Sequence, residues 1–560
     1  MADTPNSQSG SKPGRKELST EIRLLIAFLL MGAVLFLTPY FYKPAAPPPK
    51  TSPAKEIPAE QTKVPEAEPS KPAQPPPMPV PGQISAQTEE LLLVETDLYR
   101  IEFSNRGGVV RRWTLKGPKY VDSGGRPLEL INQEAAAKVG YPFSVDFKGE
   151  KPSTDVNSAL FAVKRSDDGL SLEFEFSDGK TALRKSFHFT RDSYLSKVSS
   201  EAVQNGVPMP HFLTWRGGFG DPSLEHAAPS QHTVYYDTRE AELVLQEAKH
   251  GKDGPVTSSG DYSFAGIEDQ YFAAVSLPPA GAVVEMRTYG DPVPTAGGSE
   301  EMRVGAGIGG GAQNRFTLFV GPKDLDLLRR IEPKLAQLID FGWFAFLAKP
   351  LFLALNWVND NLAHNYGWAI VIVTVVINFL MLPLRYTSMK SMKKMQSLQP
   401  QIKAINEKYK GIGLRDPRKA EQNQEVMALY KQHGVNPTGG CFPMLLQIPF
   451  FFAFYKVLTV AIELRGANWL WVTDLSQPEH LPIRILPITM IITQFIQQKM
   501  TPSTMGDPTQ QRIMMMMPLM LGFMFYGVSS GLVLYWLTGN VIGIAQQWFF
   551  NKTMATPAPV

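Results

Sequence analysis

Residues 531–550 read Gly-Leu-Val-Leu-Tyr-Trp-Leu-Thr-Gly-Asn-Val-Ile-Gly-Ile-Ala-Gln-Gln-Trp-Phe-Phe. A stretch of this length with no formal charge can cross a bilayer core of roughly 30 Å as a helix. Within it Trp536, Asn540, Gly543 and Gln547 fall at i, i+4, i+7 and i+11, on a single face. Amide side chains are costly against lipid, so that face should meet other helices or water. The stretch therefore reads as one span of an integral membrane protein whose helices share a polar seam.

Working outward, further apolar stretches lie at about 366–384, 442–461, 483–499 and 513–529. Pro383, Pro443, Pro449, Pro487 and Pro518 punctuate them, as membrane helices allow where neighbours re-satisfy the freed backbone groups. A sixth stretch, 24–42, follows Lys12, Arg15, Lys16 and Arg23 and reads as an uncleaved anchor that leaves 1–23 in the cytoplasm. A cleaved signal peptide competes with it, with Ala45-Ala46 as the weak cleavage signal. The segment 385–434 carries eleven Lys/Arg against four Asp/Glu, whereas 462–482 has Arg465 alone. Excess Lys/Arg marks the cytoplasmic side, so six spans with both termini inside satisfy both cues.

The averages hide how the rest is divided. Over 560 residues, 55 Lys/Arg stand against 52 Asp/Glu and the mean hydropathy is −0.12, values that suit a soluble protein. Yet 14 of the 47 prolines fall between Pro44 and Pro81, so 43–90 reads as an extended tether. From 91 to 333 the pattern has period two. Leu172, Phe174 and Phe176 alternate with charged residues, Asp178-Gly179 follows, and Leu183, Phe187 and Phe189 resume on one face, a hairpin with a primed turn. Similar strands at Tyr99–Phe103, Ala282–Arg287 and Arg315–Val320 complete the signature of a large β-sandwich. Following an inward-starting anchor, it lies outside the cytoplasm. The one cysteine, Cys441, excludes a disulfide framework and a cysteine-built metal site. Leu335, Leu338, Ile339, Gly342 and Phe346 recur at helical spacing beside Trp343 and Lys349. Residues 334–349 thus read as a helix in the membrane interface, or as a cap on the β domain. The fold class expected is a multidomain membrane protein. It has an external all-β sandwich, an α-helical membrane core of five helices within 350–550, the additional anchor at 24–42, a helical hairpin at 385–434 and a short tail at 551–560.

The chemistry is marked by what is missing. The eight histidines lie outside the apolar stretches, and no His-Glu-x-x-His or Gly-x-x-x-x-Gly-Lys occurs. No cofactor, metal site, catalytic residue or small-molecule substrate is indicated. For a protease, Ser529-Ser530-Gly531 has only Lys456, on another helix, as a candidate base, and the spans are nearly free of the ionisable residues of an ion-coupled transporter. Neutral polarity remains, and the topology places most of it in the inner half of the membrane. Thr374 and Asn378 share a face of the second span, Gln447 starts the third, and Thr493, Gln494, Gln497 and Gln498 end the fourth. Asn540, Gln546 and Gln547 sit on the sixth. Interhelical glue and a hydrated cavity open to the cytoplasm both account for this; the one-sided depth favours the cavity. Lys456 lies on the face opposite Gln447 and is expected to snorkel outward towards Glu463. Met514–Met517, Met520 and Met524 crowd the fifth span, as core filler or as a surface for varied apolar partners. In the basic hairpin Lys390, Lys393 and Lys394 sit at i, i+3 and i+4. Gly411–Gly413 break the first helix, Asp416-Pro417 starts the second, and Gly434 ends it. Arg415, Arg418 and Lys419 add charge, for a solvated helix pair or for docking to RNA, anionic lipid or a partner.

The run Asn436-Pro437-Thr438-Gly439-Gly440-Cys441-Phe442-Pro443-Met444-Leu445-Leu446-Gln447-Ile448-Pro449 resembles the YidC/Oxa/Alb family of membrane protein insertases, Gram-negative type. So do Phe319–Pro322, Gly342-Trp343, Glu463–Arg465, Asp474–Ser476, Gln498–Met500, Asp507-Pro508 and Ser530–Tyr535. The resemblance implies a periplasmic β-supersandwich, a five-helix insertase core and a multi-pass place in the bacterial inner membrane. It implies a hydrophilic groove, open to the cytoplasm and lipid, lined by Thr374, Asn378, Gln447, Thr493, Gln497, Trp536, Asn540 and Gln547. It implies a slide for the substrate's apolar segment along Phe451, Phe454, Met516, Met517, Met520 and Met524. Its partners would be nascent membrane proteins, the Sec translocon with its accessory subunits, transiently the ribosome, and the phospholipid bilayer. Two departures stand out. The family usually has a groove arginine five residues before the proline that ends the second span; here that position is Asn378, and Arg385 is expected at the cytoplasmic end, leaving the groove without its cation. The tail 551–560 carries only Lys552, so a basic ribosome-binding extension is not expected there. A second class of function, a membrane-tethered periplasmic sensor or carbohydrate-binding β domain, would put the essential site in 91–333.

Overall fold

The computed structural model describes residues 80–553 except 123, 223–229, 295–299, 412–417, 436–441 and 502–507. The expected anchor at 24–42, most of the tether, Arg415, the Asp416-Pro417 helix start and the Asn436–Cys441 motif lie outside the described residues.

Strands Leu91–Glu95, Tyr99–Ser104 and Val109–Leu115 form a three-stranded antiparallel sheet. The other fourteen strands form one antiparallel sheet that turns a corner along the long strand Val256–Glu268. Its first half, Val256–Asp261, pairs with Val283–Thr288, and its second, Ala265–Glu268, with Ala273–Ser276. A strand that serves two sheet sections lets them face each other over one core. That core is aromatic: Phe103, Trp113, Phe174, Phe187, Phe189, Phe212 and Trp215 are all buried in one cluster. The period-two reading holds at Leu172, Phe174 and Phe176, all buried, opposite Phe187, Lys185 and Leu183. The hairpin is shifted by one residue from the expected turn. Asp178 pairs with Thr181, Gly179-Lys180 are the central residues, Gly179 has φ +86°, and the Asp178 carboxylate accepts from the Lys180 and Thr181 N–H groups. Helix α1, Gln133–Val139, is capped by the Asn132 side chain, and α2, Leu325–Ile331, by Asp324.

One residue on an inward position of this sandwich is a lysine. Lys185 Nζ donates to Gly107 O at 2.6 Å and Phe143 O at 2.7 Å, stitching the small sheet's turn to the large sheet. Burial pushes the Lys185 ammonium down to about 7. The unfolded chain then holds this proton up to higher pH than the folded one, so stability should rise with pH from about 7 towards the ordinary lysine value and stay flat below. Amide exchange of strand Thr181–Phe189 in the full chain, compared with Lys185→Met, checks this: only the parent should gain protection across that window.

The expected single helix at 334–349 is broken, a correction with a clear cause. Pro333–Leu338 forms a 3-10 turn whose Leu335 and Leu338 pack into the protein, and Gly342 at φ +65° redirects the chain. The first half thus caps the β domain, and only the second half exposes Trp343 (96%) and Phe346 (74%). Then come α3, Ala345–Val358; α4, Tyr366–Leu380; α5, Leu382–Ser397; α6, Gln399–Lys408; and α7, Arg418–Gln432. They are followed by α8, Phe442–Val460; α9, Ile485–Met500; α10, Pro508–Phe525; and α11, Ser530–Thr553. Among the described residues no single helix is both long and apolar enough to cross a membrane by itself. The pair Gly342–Ala363 and Tyr366–Leu380 passes together but bends by 115°. Helix α11, with 24 residues, spans about 36 Å, and its amide stripe keeps its hydropathy low.

The β domain is bolted to the helices through the loop between α8 and α9. Arg465 is 4% exposed and pairs with the buried Asp221 at 2.5 Å, while also donating to Val121 O and Lys119 O. Gln270 Nε2 donates to Thr459 O at 2.7 Å. The same loop receives the start of α11, with Ser530 N–H to Gln477 O and Gly531 N–H to Leu475 O, both 2.8 Å. Removing one partner of a buried ion pair costs about 3–5 kcal/mol, because the other charge stays buried. Arg465→Met should therefore lower the thermal stability of the full chain in detergent strongly, and Arg465→Met with Asp221→Leu should recover most of it. A double variant as unstable as the single one would show that the bolt does not depend on the charge pair.

Candidate functional site

The polar residues of the core gather on two seams. The first joins α9 and α11. Asn540 Nδ2 donates to Met490 O at 3.2 Å and Thr493 Oγ1 at 3.3 Å. Trp536 Nε1 donates to Gln494 Oε1 at 3.1 Å, and Gln547 Nε2 to Met500 O at 3.3 Å. Gly543 lies on the same stripe, and a Cβ there would come within 2.2 Å of Gln497 Nε2. The missing side chain is what lets the Gln497 amide lie against α11.

The second seam joins α4, α5, α8 and α11, and it holds a cation. Arg385 Nη1 donates to Gln546 Oε1 at 2.9 Å, and Nη2 reaches Gln447 Oε1 at 3.4 Å. Gln447 Nε2 donates to the Tyr535 hydroxyl at 2.9 Å, and Gln546 Nε2 to Asn378 O at 3.4 Å. Asn378 uses its amide N–H on Thr374 O, and its own Oδ1 is buried with no donor among the described residues. Thr374 bonds within its helix, to Ile370 O. No carboxylate lies within ion-pair distance of Arg385 among the described residues. Among those residues, too, no cluster of three His, Cys, Asp or Glu side chains is placed to hold a metal.

Residues 357–557 match the family described as 60Kd inner membrane protein, and residues 91–354 match the YidC periplasmic domain. The membrane protein insertase YidC of Syntrophus aciditrophicus (strain SB) is 35% identical over 565 residues, covering 95% of this chain and 99% of the relative. This chain belongs to the YidC family of membrane protein insertases. That of Geotalea uraniireducens (strain Rf4) is 36% identical, with 95% and 99% covered. The solved "Active YidC insertase crystal structure with the first transmembrane domain resolved" is 19% identical, with a TM-score of 0.36, over 83% of this chain and 94% of that one. As a YidC-family member the protein is an inner-membrane insertase with a β-rich periplasmic domain and a helical C-terminal region.

Against this family frame, several expected residues fall elsewhere. Arg385 is expected at the cytoplasmic end, away from the groove residues; it bonds instead to Gln546 and Gln447, within reach of a long side chain that leans towards the start of its helix. Lys456 sits 3.9 Å from Asp340, not beside Glu463, since Gly342 opens the space into which its stem lies. Phe451 and Phe454 are inside the bundle rather than on a slide: Phe454 stacks on Tyr535 with ring centroids 4.3 Å apart, and Phe451 meets Phe525 and Trp536. Met516 and Met520 are exposed beside Met515, Leu519 and Phe523 on α10, whereas Met517 and Met524 are half-buried. In the hairpin Lys390 and Lys394 point outward, but Lys393 is buried and donates to Phe550 O at 3.3 Å, satisfying a carbonyl in the last turns of α11. Arg418 is exposed on α7, which also carries Lys419; α6 and α7 are joined by Lys408–Glu425 at 2.6 Å. Sequence reasoning missed Tyr535 and named Gln546 only among the inner-half amides, although both lie one residue from the stripe that contains Trp536 and Gln547.

The Gly543 contact has a direct consequence. Gly543→Ala should displace only the flexible end of Gln497 and leave folding nearly intact, whereas Gly543→Phe should part α9 from α11 at a cost of about 1–3 kcal/mol. Cysteine-pair crosslinking between α9 and α11, together with thermal unfolding, would separate the two outcomes.

Proposed function

We propose that the insertion path of this YidC-family protein is the polar zone around Arg385, Gln447, Gln546, Tyr535 and Asn378, open on the side of the basic hairpin. The polar tail or loop of a nascent inner-membrane protein enters it, and its apolar segment leaves along the exposed methionine face of α10. A polar zone shortens the stretch of hydrocarbon that a translocated segment must cross, and burial of the apolar segment in lipid supplies the driving force at about 25 cal/mol per Å2. No nucleotide is needed for that step. The reading extends to work alone and with the Sec translocon, transient contact with the ribosome through Lys390, Lys394 and Arg418, and a six-span topology with both termini inside.

One observation carries the reading: a guanidinium held in the helix bundle by neutral amides, with no carboxylate partner among the described residues, and the buried Oδ1 of Asn378, whose backbone carbonyl Gln546 bonds, left without a donor among them. Interhelical glue needs neither a net charge nor a spare acceptor; a path that admits a polar chain and water uses both. Asn378 lies near the end of α4 and Arg385 in the first turn of α5, and Gln546 bonds both, accepting from Arg385 and donating to Asn378 O. Arg385→Ala should therefore cut insertion of substrates with acidic tails by about tenfold or more, consistent with loss of roughly 1.4 kcal/mol or more of charge–charge attraction. Adding Asn378→Arg should restore it. Protease-protection assays on a small two-span substrate read this out; a silent Arg385→Ala, or no rescue, would count against the path. Photocrosslinkers at Gln447 and Gln546 should label the nascent chain, and labelling of lipid alone would remove the groove.

A further inference from the structure

The β domain carries a second polar surface that the insertion path does not use. It is an open trough of about 1040 Å3 on the solvent face of the large sheet. Strand pairing builds it as two rows that cross the strands. One row runs Ser171, His188, Lys197, Thr317 and Leu277. The other runs Lys164, Glu173, Ser186, Ser199 and Arg315. Residues directly paired across strands point to the same face, so each row is a continuous strip. The charges on it are unevenly matched. Lys164 and Arg184 are taken by Glu173 and Glu175. Lys197 and Arg315, both exposed, have no carboxylate within ion-pair distance among the described residues, and they sit diagonally across adjacent strands. His188 pairs directly opposite Lys197, and its Nδ1 is 2.6 Å from Ser171 Oγ.

The geometry points to a docking trough for an acidic, extended segment of polypeptide, and specifically for the translocated segments of this insertase's own substrates. Three features select that occupant. The adjacent basic groups, with Ser186, Ser199 and Thr317 hydroxyls between them, offer a run of anchors for carboxylates and backbone carbonyls. The rim of Leu195, Leu277, Pro278, Pro279 and Ile331 is apolar, which suits side chains between the acidic ones, and the volume is at the large end for a single small ligand. Finally, segments that cross outward are poor in Lys and Arg, so their carboxylates arrive unbalanced on the side where this trough lies. Ile331 ends α2, from which the chain continues towards the membrane helices. The inference rests on the insertase reading and on the β domain facing the translocated side.

The test uses the full chain in membranes, with a photocrosslinker at Thr317 and a two-span substrate whose translocated loop is either Asp/Glu-rich or Ser/Gln-rich. The acidic loop should crosslink at least about fivefold more, and the preference should fade at high salt, where the screening length falls from about 10 Å at 0.1 M to 3 Å at 1 M. The K197E/R315E variant, altered only at exposed positions, should lose the preference. Equal crosslinking of both loops, an unchanged preference in the variant, or labelling of lipid in place of the loop would overturn the proposal. Protease protection of the substrate is scored in the same reaction. Normal insertion with no acidic preference would sink the trough alone, whereas failed insertion by the parent would sink the function on which it rests.

Discussion

An amide buried in an apolar helix bundle must find a partner, and the partners available decide which helices can lie side by side. Here that constraint draws the core. Asn540, Trp536 and Gln547 reach across to Met490, Gln494 and Met500, so α9 and α11 are held in one register along their length. Gly543 removes the one side chain that would keep Gln497 off the seam. On the other side of α11 the amides of Gln447 and Gln546 are turned towards a guanidinium. The two faces of this one helix thus carry different kinds of polar contact. Neutral groups bonded to one another lie towards α9. A net charge and a spare acceptor lie towards α4, α5 and α8.

The same rule governs the junction with the β domain, where the groups are ionic. Arg465 and Asp221 are both removed from water, and Lys323 meets Glu268 nearby at 3.2 Å. Buried pairs of this kind add little net stability over apolar packing, but they tolerate few alternative arrangements. The loop that supplies Arg465 also binds the first residues of α11. One loop therefore ties the β domain to the outer ends of α8, α9 and α11. The β domain is therefore joined to the bundle by side-chain and backbone bonds as well as by the chain itself.

Much of this was legible in the sequence, and what was not shares a physical cause. Period two in 171–189 marks inward and outward faces because a strand alternates strictly, so Phe174, Phe187 and Phe189 were readable as core. Lys185 breaks the pattern because its ammonium finds carbonyls that only the folded chain brings together. The stripe Trp536–Gln547 was readable because helical spacing fixes a face. Which neighbour each face meets was not. Phe451 and Phe454 share the apolar character of lipid-facing residues, and only packing against Phe525, Trp536 and Tyr535 shows them to be interior. Helical spacing sets Lys456 opposite Gln447, yet its acid is Asp340 rather than Glu463, since face counting carries no information about a residue over a hundred positions earlier.

Arg385 is the case where that missing information matters most. Counting residues puts it seven positions, or about 10 Å of rise, beyond Asn378 and so outside the polar zone. Side chains on a helix lean towards its N-terminus, however, and a long one leans furthest. Leaning back along α5, the Arg385 guanidinium reaches Gln447 and Gln546, and the Gln546 amide in turn bonds the carbonyl of Asn378 itself. A charge supplied from two turns below is thereby delivered to the level of the position where the family resemblance leads one to look for it. The arrangement also differs from an arginine rooted at 378. It is rooted at the start of α5, the helix that leads into the basic hairpin, so on the proposed path a chain arriving from that side would meet the cation first, and its acceptors are amides that can exchange for a carboxylate without leaving a stranded negative charge behind. A groove whose cation is held by neutral, replaceable partners can bind an acidic segment and release it, which a groove closed by a permanent ion pair would resist.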